Sequence, residues 1–240
     1  MTTNKPQVFV LEPWLTIPFE ERLKSPIDEL VDILLTLPEC LALYGKISNQ
    51  ASRCSRCIVR LQMNIPHIIS RLDSWHQQYC VEIVEYDGRR RIFLDGSAER
   101  RLDMSELKFY APDMRTYHDI HTAAFIAMYD AANLIIFSVL KLVSIPTDQY
   151  SHRINFHTQS ILSADTFIES SGFSAPTGGA MPMIFPLKIV GLWGPHHEQR
   201  SYATAKLRKW DRQGELHGIC RLAAPVSMEP PEGVLCECGR

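Results

Sequence analysis

The chain has 240 residues, of which 45% are hydrophobic and 22% are charged. This length and composition exclude an intrinsically disordered chain and allow one domain with a sizeable core. Lys and Arg number 25 against 27 Asp and Glu, a net charge of −2, which excludes a general attraction to DNA or to an anionic membrane. Any such contact must therefore be local.

The cysteines and the N-terminal stretch indicate a reduced, intracellular protein. Seven cysteines are an odd number, and they follow no regular spacing. Residues 1–20 contain three prolines and lack the unbroken apolar run of a secretion signal. The most apolar segment, 122–143, includes Asp130 and Asn133, and an aspartate at mid-bilayer would cost about 3 kcal/mol. We therefore expect a buried helix there and no membrane span.

The first predicted helix follows an N-terminal arm at 1–24. Ser25 is a favourable N-cap, Pro26 fits the first helical position, and Asp28 completes a capping box. We expect Pro38 to end this helix. Its predicted apolar face consists of Ile27, Leu30, Val31 and Leu34.

A heptad-like apolar stripe follows, and Pro66 is expected to kink or split its helix. The pattern favours a helix packed within its own domain, since three heptads around a proline are marginal for an independent coiled coil. The alternative is a dimerisation seam, through which this chain would bind a full-length factor and titrate it. The stripe consists of Ile58, Leu61, Ile65, Ile68, Leu72, Trp75 and Tyr79.

Two short β-prone runs, 81–86 and 89–94, flank the turn dipeptide Asp87-Gly88. They predict either a small β-hairpin near 81–95 or an irregular excursion between helices.

The second half of the chain predicts further helices. The longest should begin at Pro112 and Asp113, contain a stripe from Tyr117 to Leu142, and end at Pro146. A second helix follows from Thr147, with an apolar stripe through Tyr150, Ile154, Ile161, Ala164 and Ile168.

Residues 180–193 are apolar on every side apart from Lys188, which predicts an enclosed helix. Pro182 and Pro186 should make its first turns irregular, and Gly194-Pro195 should end it. The last helix, 198–213, turns three apolar residues inward: Ala203, Leu207 and Trp210.

The predicted fold class is therefore all-α, an irregular multi-helix domain at 25–223, with a flexible tail at 224–240. The last helix also carries five cations, which either contact phosphates or form a solvated face favoured by the helix dipole. The solvated face is the favoured reading. The cations are Arg200, Lys206, Arg208, Lys209 and Arg212.

Sequence motifs for catalysis or metal binding are incomplete. Cys54-x-x-Cys57 has no second Cys-x-x-Cys to complete a zinc site, and the pair Cys236-x-Cys238 lies in the predicted tail. His118 and His121, with Asp119 between them, lack the Glu-x-x-His pattern of bundle metal sites. We expect no catalytic, cofactor-binding or metal-binding residues and no enzymatic activity. A small helical metal-dependent enzyme built on His118 and His121 is the less favoured alternative.

Four segments resemble, in order, the regulatory domain of fungal transcription factors that carry a binuclear zinc cluster. The first two are Asp28–Pro38 and Tyr129–Asn133. The others are Met183–Val190, with its Phe185-Pro186-Leu187 run, and a basic helix ending in Trp210.

The resemblance implies an all-helical regulatory domain in the nucleus, or shuttling with the cytoplasm, in fungal gene regulation such as that of a secondary-metabolite gene cluster. Its implied partners are a transcription factor or coactivator, a small-molecule effector, and a second chain in a homo- or heterodimer. The six-cysteine module that binds DNA in that family is not found in this sequence, so we do not expect direct, sequence-specific DNA binding. Either a truncated or split factor or a DNA-free paralogue fits this departure.

Overall fold

A computed structural model describes residues 16, 23–48, 55–86, 117, 119–143, 150–171, 181–212 and 220, with only the backbone at 80–86. Helices make up this part of the chain, which contains no strand, so the predicted all-α class is confirmed. A 3₁₀ turn at Met181–Met183 precedes α6. The helices are α1 (Pro26–Leu34), α2 (Leu37–Ser48), α3 (Ser55–Tyr86), α4 (Ile120–Val143), α5 (Ser151–Ser170), α6 (Ile184–Trp193) and α7 (His197–Arg212).

The chain divides into two compact units. The first unit comprises Met1–Val81, Leu142–Ile145 and Ser227–Arg240, and the second comprises Glu82–Lys141 and Pro146–Val226. The single domain at 25–223 remains a prediction, and the arm at 1–24 and the tail at 224–240 lie almost wholly outside the described residues.

In the first unit, α1 begins at the predicted capping box. The Ser25 hydroxyl accepts a hydrogen bond from the Asp28 backbone N–H at 3.4 Å, and the Asp28 carboxylate accepts one from the Ser25 N–H at 3.0 Å. The predicted apolar face was partly wrong, because Leu30 and Ile33 are buried whereas Val31 is 38% exposed.

The prediction that Pro38 ends α1 was wrong. The helix ends at Leu34, and Pro38 is the second residue of α2. Proline fits there because the first N–H groups of a helix have no intrahelical acceptor, so its missing donor costs nothing.

Helix α3 contains the heptad-like stripe and buries it. Leu61, Ile65 and Leu72 are at most 1% exposed. This burial agrees with the interpretation that the helix packs within its own domain. The helix is not split at Pro66, which lies on the exposed face. The Trp75 Nε1–H donates to the Pro26 carbonyl at 2.7 Å and joins α3 to α1.

The predicted β-hairpin near 81–95 is wrong in its first strand. Residues 81–86 form the last turns of α3, and 87–95 lie outside the described residues. Extending an existing helix needs no new nucleation, whereas an isolated two-stranded hairpin is marginally stable.

In the second unit, α4 begins later than predicted. Tyr117 precedes the helix, and the Asp119 carboxylate accepts the Thr122 N–H at 2.7 Å, which is an N-cap contact. Among the described helices, α4 alone is long and apolar enough to cross a membrane, and 78% of its most apolar stretch is buried. This burial agrees with the predicted core helix.

Helices α6 and α7 lie where the sequence predicted them, whereas α5 begins at Ser151, after the predicted start at Thr147. The 3₁₀ turn is the predicted irregular start, and α6 contacts both α5 and α7. Gly194 follows α6 directly, and a Cβ there would come 2.7 Å from the Val190 carbonyl oxygen. The Arg200 side chain donates to the Gly194 carbonyl at 2.6 Å, so this short connection is held from α7.

Candidate functional site

A buried carboxylate joins α4 to α5 in the second unit. Asp130, 1% exposed, accepts a hydrogen bond from His157 Nδ1 at 2.8 Å through one oxygen. Its other oxygen accepts the Ser160 hydroxyl hydrogen. Buried carboxylates are stable when hydrogen-bonded in this way, so the cluster fixes how α4 and α5 pair.

Aromatic rings surround the His157 imidazole. The Phe137 ring stacks on it with centroids 5.6 Å apart and planes 13° apart. Phe156 and Tyr129 approach it edge-on, at 5.2 Å and 6.4 Å. These rings and the Asp130 bond fix the orientation of the imidazole.

Although it contains Ser, His and Asp, this cluster does not have the geometry of a nucleophilic triad. Nucleophilic catalysis requires the serine hydroxyl to give its proton to the histidine. Here the Ser160 hydroxyl donates to Asp130 instead, and His157 donates to the same carboxylate. The arrangement is that of a structural polar cluster.

A second buried polar cluster joins α5 to α7. Lys206, 8% exposed, lies with its Nζ 2.6 Å from the Asp165 carboxylate and 3.1 Å from that of Glu169. The Tyr202 hydroxyl donates to Asp165 at 2.7 Å. The Lys206 ammonium also lies 5.6 Å from the centroid of the Trp210 ring, within cation–π range.

Burial is the main influence on Asp165. It raises the pKa of this carboxyl above the usual 3.8, while the Lys206 charge and the hydrogen bonds from Lys206 and Tyr202 act in the opposite direction. The ionised Asp165 thus depends on Lys206 to offset its lost hydration.

The polar contacts between α5 and α7 follow the same order along both helices. Asn155, near the start of α5, accepts a hydrogen bond at 3.5 Å from Gln199, near the start of α7. Asp165 and Glu169, further along α5, contact Lys206, further along α7. Both sequence positions therefore increase together from one contact to the next.

The solvated-face prediction for the α7 cations was wrong for Lys206, which is buried among carboxylates. Arg200 is half-buried and binds backbone carbonyls at the end of α6. Arg208, Lys209 and Arg212 are exposed, and their side chains make no ion pair or hydrogen bond with any described residue.

The side of α7 opposite its buried residues forms what we call the α7 outer face. Six of its members line a shallow surface depression, and Arg212 continues the same side at the end of the helix. This face consists of His197, Arg200, Ser201, Thr204, Ala205, Arg208 and Arg212.

The histidines considered for metal binding are not brought together by any described contact. His121 is exposed, Asp119 caps α4, and His118 lies outside the described residues. Within the part of the chain that the structure describes, no three His, Cys, Asp or Glu side chains are grouped to hold a metal ion.

The two first-unit cysteines whose side chains the structure describes, Cys40 and Cys57, are buried. Cys57 is 3% exposed on α3, and its motif partner Cys54 lies outside the described residues. Burial, with the adjacent Glu39 carboxylate, raises the pKa of the Cys40 thiol to about 11. Cys40 is therefore a poor nucleophile at neutral pH.

Sequence reasoning missed the buried polar residues of α5. Its apolar stripe was predicted through Ile161 and Ile168, yet Asp165 lies four residues after the first and three before the second. That spacing places Asp165 on the apolar face, which was the available signal that it needs a buried partner. The identity of the partner, Lys206 on another helix, has no local signal.

Compared with known proteins, the chain matches no protein-family model, no curated protein and no solved structure.

Proposed function

We propose that this protein is a helical regulatory domain that acts in fungal transcription through contacts with other proteins. The observation that carries the proposal is the ordered resemblance of four segments to the regulatory domain of zinc-cluster transcription factors. A nuclear location and a role in regulating a secondary-metabolite gene cluster belong to the same proposal.

The placement of the four segments supports this reading. Asp28–Pro38 spans α1 and the start of α2, and Tyr129–Asn133 lies within α4. Met183–Val190 leads into α6, where Leu187 is fully buried, and Trp210 is buried near the end of α7. The resembling segments thus contribute to helix packing, as signatures of a folded domain should.

The proposed mode of action is protein contact rather than direct DNA reading. Of the five α7 cations, Lys206 is neutralised by Asp165 and Glu169, and Arg200 binds backbone carbonyls. Three exposed cations on one helix are fewer than the 6–10 or so phosphate contacts typical of a DNA-binding surface. A transcription factor or coactivator is therefore the proposed partner.

A tethering experiment tests the proposal. The full chain is fused to a heterologous DNA-binding domain and expressed in a fungal host with a matching reporter gene. We expect reporter transcription to change relative to the DNA-binding domain alone. Leu187→Asp, which places a charge in the core of the second unit, should abolish the change by unfolding that unit.

The matched control is Met181→Asp, because Met181 is 47% exposed close to the same helix. This variant should keep the effect on the reporter. Two results together would contradict the proposal. The fusion would be folded and nuclear but leave the reporter unchanged, and deletion of the gene in the host would alter no transcript.

A further inference from the structure

The α7 outer face carries positive charge that no described carboxylate neutralises. Arg208 and Arg212 are exposed and make no side-chain ion pair or hydrogen bond with a described residue. Arg200 donates only to the neutral carbonyls of Gly194 and Pro195, so its charge is also uncompensated. This local surplus contrasts with the net charge of −2 for the whole chain.

The surface is depressed in the middle of the same face. Ser201, Thr204 and Ala205 lie between Arg200 and Arg208, and all three have short side chains. Two helices approach most closely where the side chains at their contact are small. The face therefore combines a site for close backbone approach with arginines on both sides of it.

The opposite side of α7 fixes this orientation. Ala203, Leu207 and Trp210 are buried, and Lys206 is bound between Asp165 and Glu169 of α5. Turning the helix would break this buried ion pair and expose the apolar side chains. The arginines of the outer face are consequently presented on a rigid element.

We propose that the α7 outer face binds an acidic helical segment of a protein partner. Carboxylates spaced one helical turn apart on such a segment match arginines that span about 18 Å between Arg200 and Arg212. This inference rests on the proposed function, because it names the kind of partner that a regulatory domain acting through protein contacts would bind.

An acidic protein segment fits this surface better than a nucleic acid. Single-stranded nucleic acids are bound by aromatic stacking as well as charge. On α7 the aromatic side chains face inward, since Trp210 is buried and the Tyr202 hydroxyl binds Asp165. The near-neutral chain also lacks the general positive field that draws proteins to DNA.

The test measures binding of a fluorescent Glu-rich helical peptide, as long as the 16 residues of α7, to the full chain. A Gln-for-Glu version of the peptide and a random-sequence DNA duplex are the comparison probes. We expect the Glu peptide to bind more tightly than both. Arg208→Gln with Arg212→Gln should weaken its binding about tenfold, because the two substitutions remove two exposed charge pairs with the peptide.

Lys141→Gln is the matched control, because Lys141 is an exposed cation on α4 of the same unit. This variant should change peptide affinity less than about twofold. Unchanged thermal unfolding of the double variant would show that it stays folded. Equal affinity of the double variant and the wild type for the Glu peptide, or tighter binding of the DNA duplex, would overturn the proposal.

The reporter assay separates this inference from the function on which it rests. If the fusion alters transcription and the double variant neither alters that effect nor loses peptide binding, the α7 inference fails while the proposed function stands. If the folded, nuclear fusion has no effect on transcription and deletion of the gene alters no transcript, the proposed function fails whatever the peptide result.

Discussion

The two units place their polar side chains differently, although both are built from helices. In the first unit, the polar contacts lie at helix ends and edges, as in the Ser25–Asp28 capping box and the Glu39–Arg60 ion pair. In the second unit, Asp130 and Asp165 are buried. Groups of α5 bind Asp130, and groups of α7 bind Asp165. Every buried polar side chain of the described residues belongs to the second unit.

This difference separates two ways of fixing helix positions. Apolar side chains pack with little directional preference, so in the first unit shape and helix length determine the arrangement. A buried carboxylate must keep its specific donors, so in the second unit it also determines which helices pair and in which direction. We expect substitutions in the two units to differ accordingly.

The largest expected effect tests the apolar core of the first unit. Leu72 is fully buried, so Leu72→Asp should destabilise this unit by more than about 4 kcal/mol, through lost packing and a buried charge. Urea unfolding combined with hydrogen exchange of the α1–α3 amides would measure it. Met63→Asp on the same helix is the control, because Met63 is 73% exposed and should lose less than about 0.5 kcal/mol.

This pair of variants also tests the alternative of a dimerisation seam. If Leu72→Asp left the unit folded and reduced only binding to a second chain, the stripe would be an interface instead of a core. Similar losses for both variants would also contradict the burial pattern of α3.

The next effect tests the polar core of the second unit. Lys206→Met removes the cation from the buried Asp165 and should destabilise the unit by about 3 kcal/mol at neutral pH. The double change Asp165→Leu with Lys206→Met should recover most of this loss, because it leaves no buried unpaired charge beside α7 and the Glu169 side chain is 43% exposed to water. Urea unfolding of the wild type and the two variants, followed by hydrogen exchange in α5 and α7, would measure it.

The loss caused by Lys206→Met should depend on pH. Burial raises the pKa of Asp165 above 3.8, so the stability that this group contributes is fully present below pH 3.8 and is lost as the pH rises through its folded-state pKa. Removing Lys206 takes away an interaction that lowers this pKa. The destabilisation should therefore be larger at about pH 7 than at about pH 4, and a loss independent of pH would contradict the role assigned to Asp165.

The local parts of the structure could be predicted from the sequence. Ser25, Pro26 and Asp28 fix the start of α1 through contacts within one turn, and Pro182 indicates the irregular entry to α6. Local patterns failed where two outcomes were close in energy. Pro38 suited both the end of one helix and the first turn of the next, and the β-prone run 81–86 extended α3.

The buried clusters could not be predicted because their partners are far apart in sequence. Asp165 lies 41 residues from Lys206, and Asp130 lies 27 residues from His157. Helical periodicity indicates which side of a helix is apolar, but it carries no information on which donor meets a buried carboxylate. Periodicity alone also predicted Lys206 as a solvated cation, because it gives no information on a carboxylate that lies on a neighbouring helix.

The smallest effect concerns the capping box of the first unit. Ser25→Ala removes the side-chain acceptor for the Asp28 N–H and should destabilise α1 by about 1 kcal/mol, the typical contribution of an N-cap. Ser25→Asn should keep most of this stability, because asparagine offers an equivalent side-chain oxygen. Hydrogen exchange of the α1 amides would detect the change even where global unfolding does not. The loss should be smaller than that for Lys206→Met, since water can solvate the half-exposed end of α1 but has little access to Asp165. Equal losses for the alanine and asparagine variants would instead assign the effect to side-chain packing.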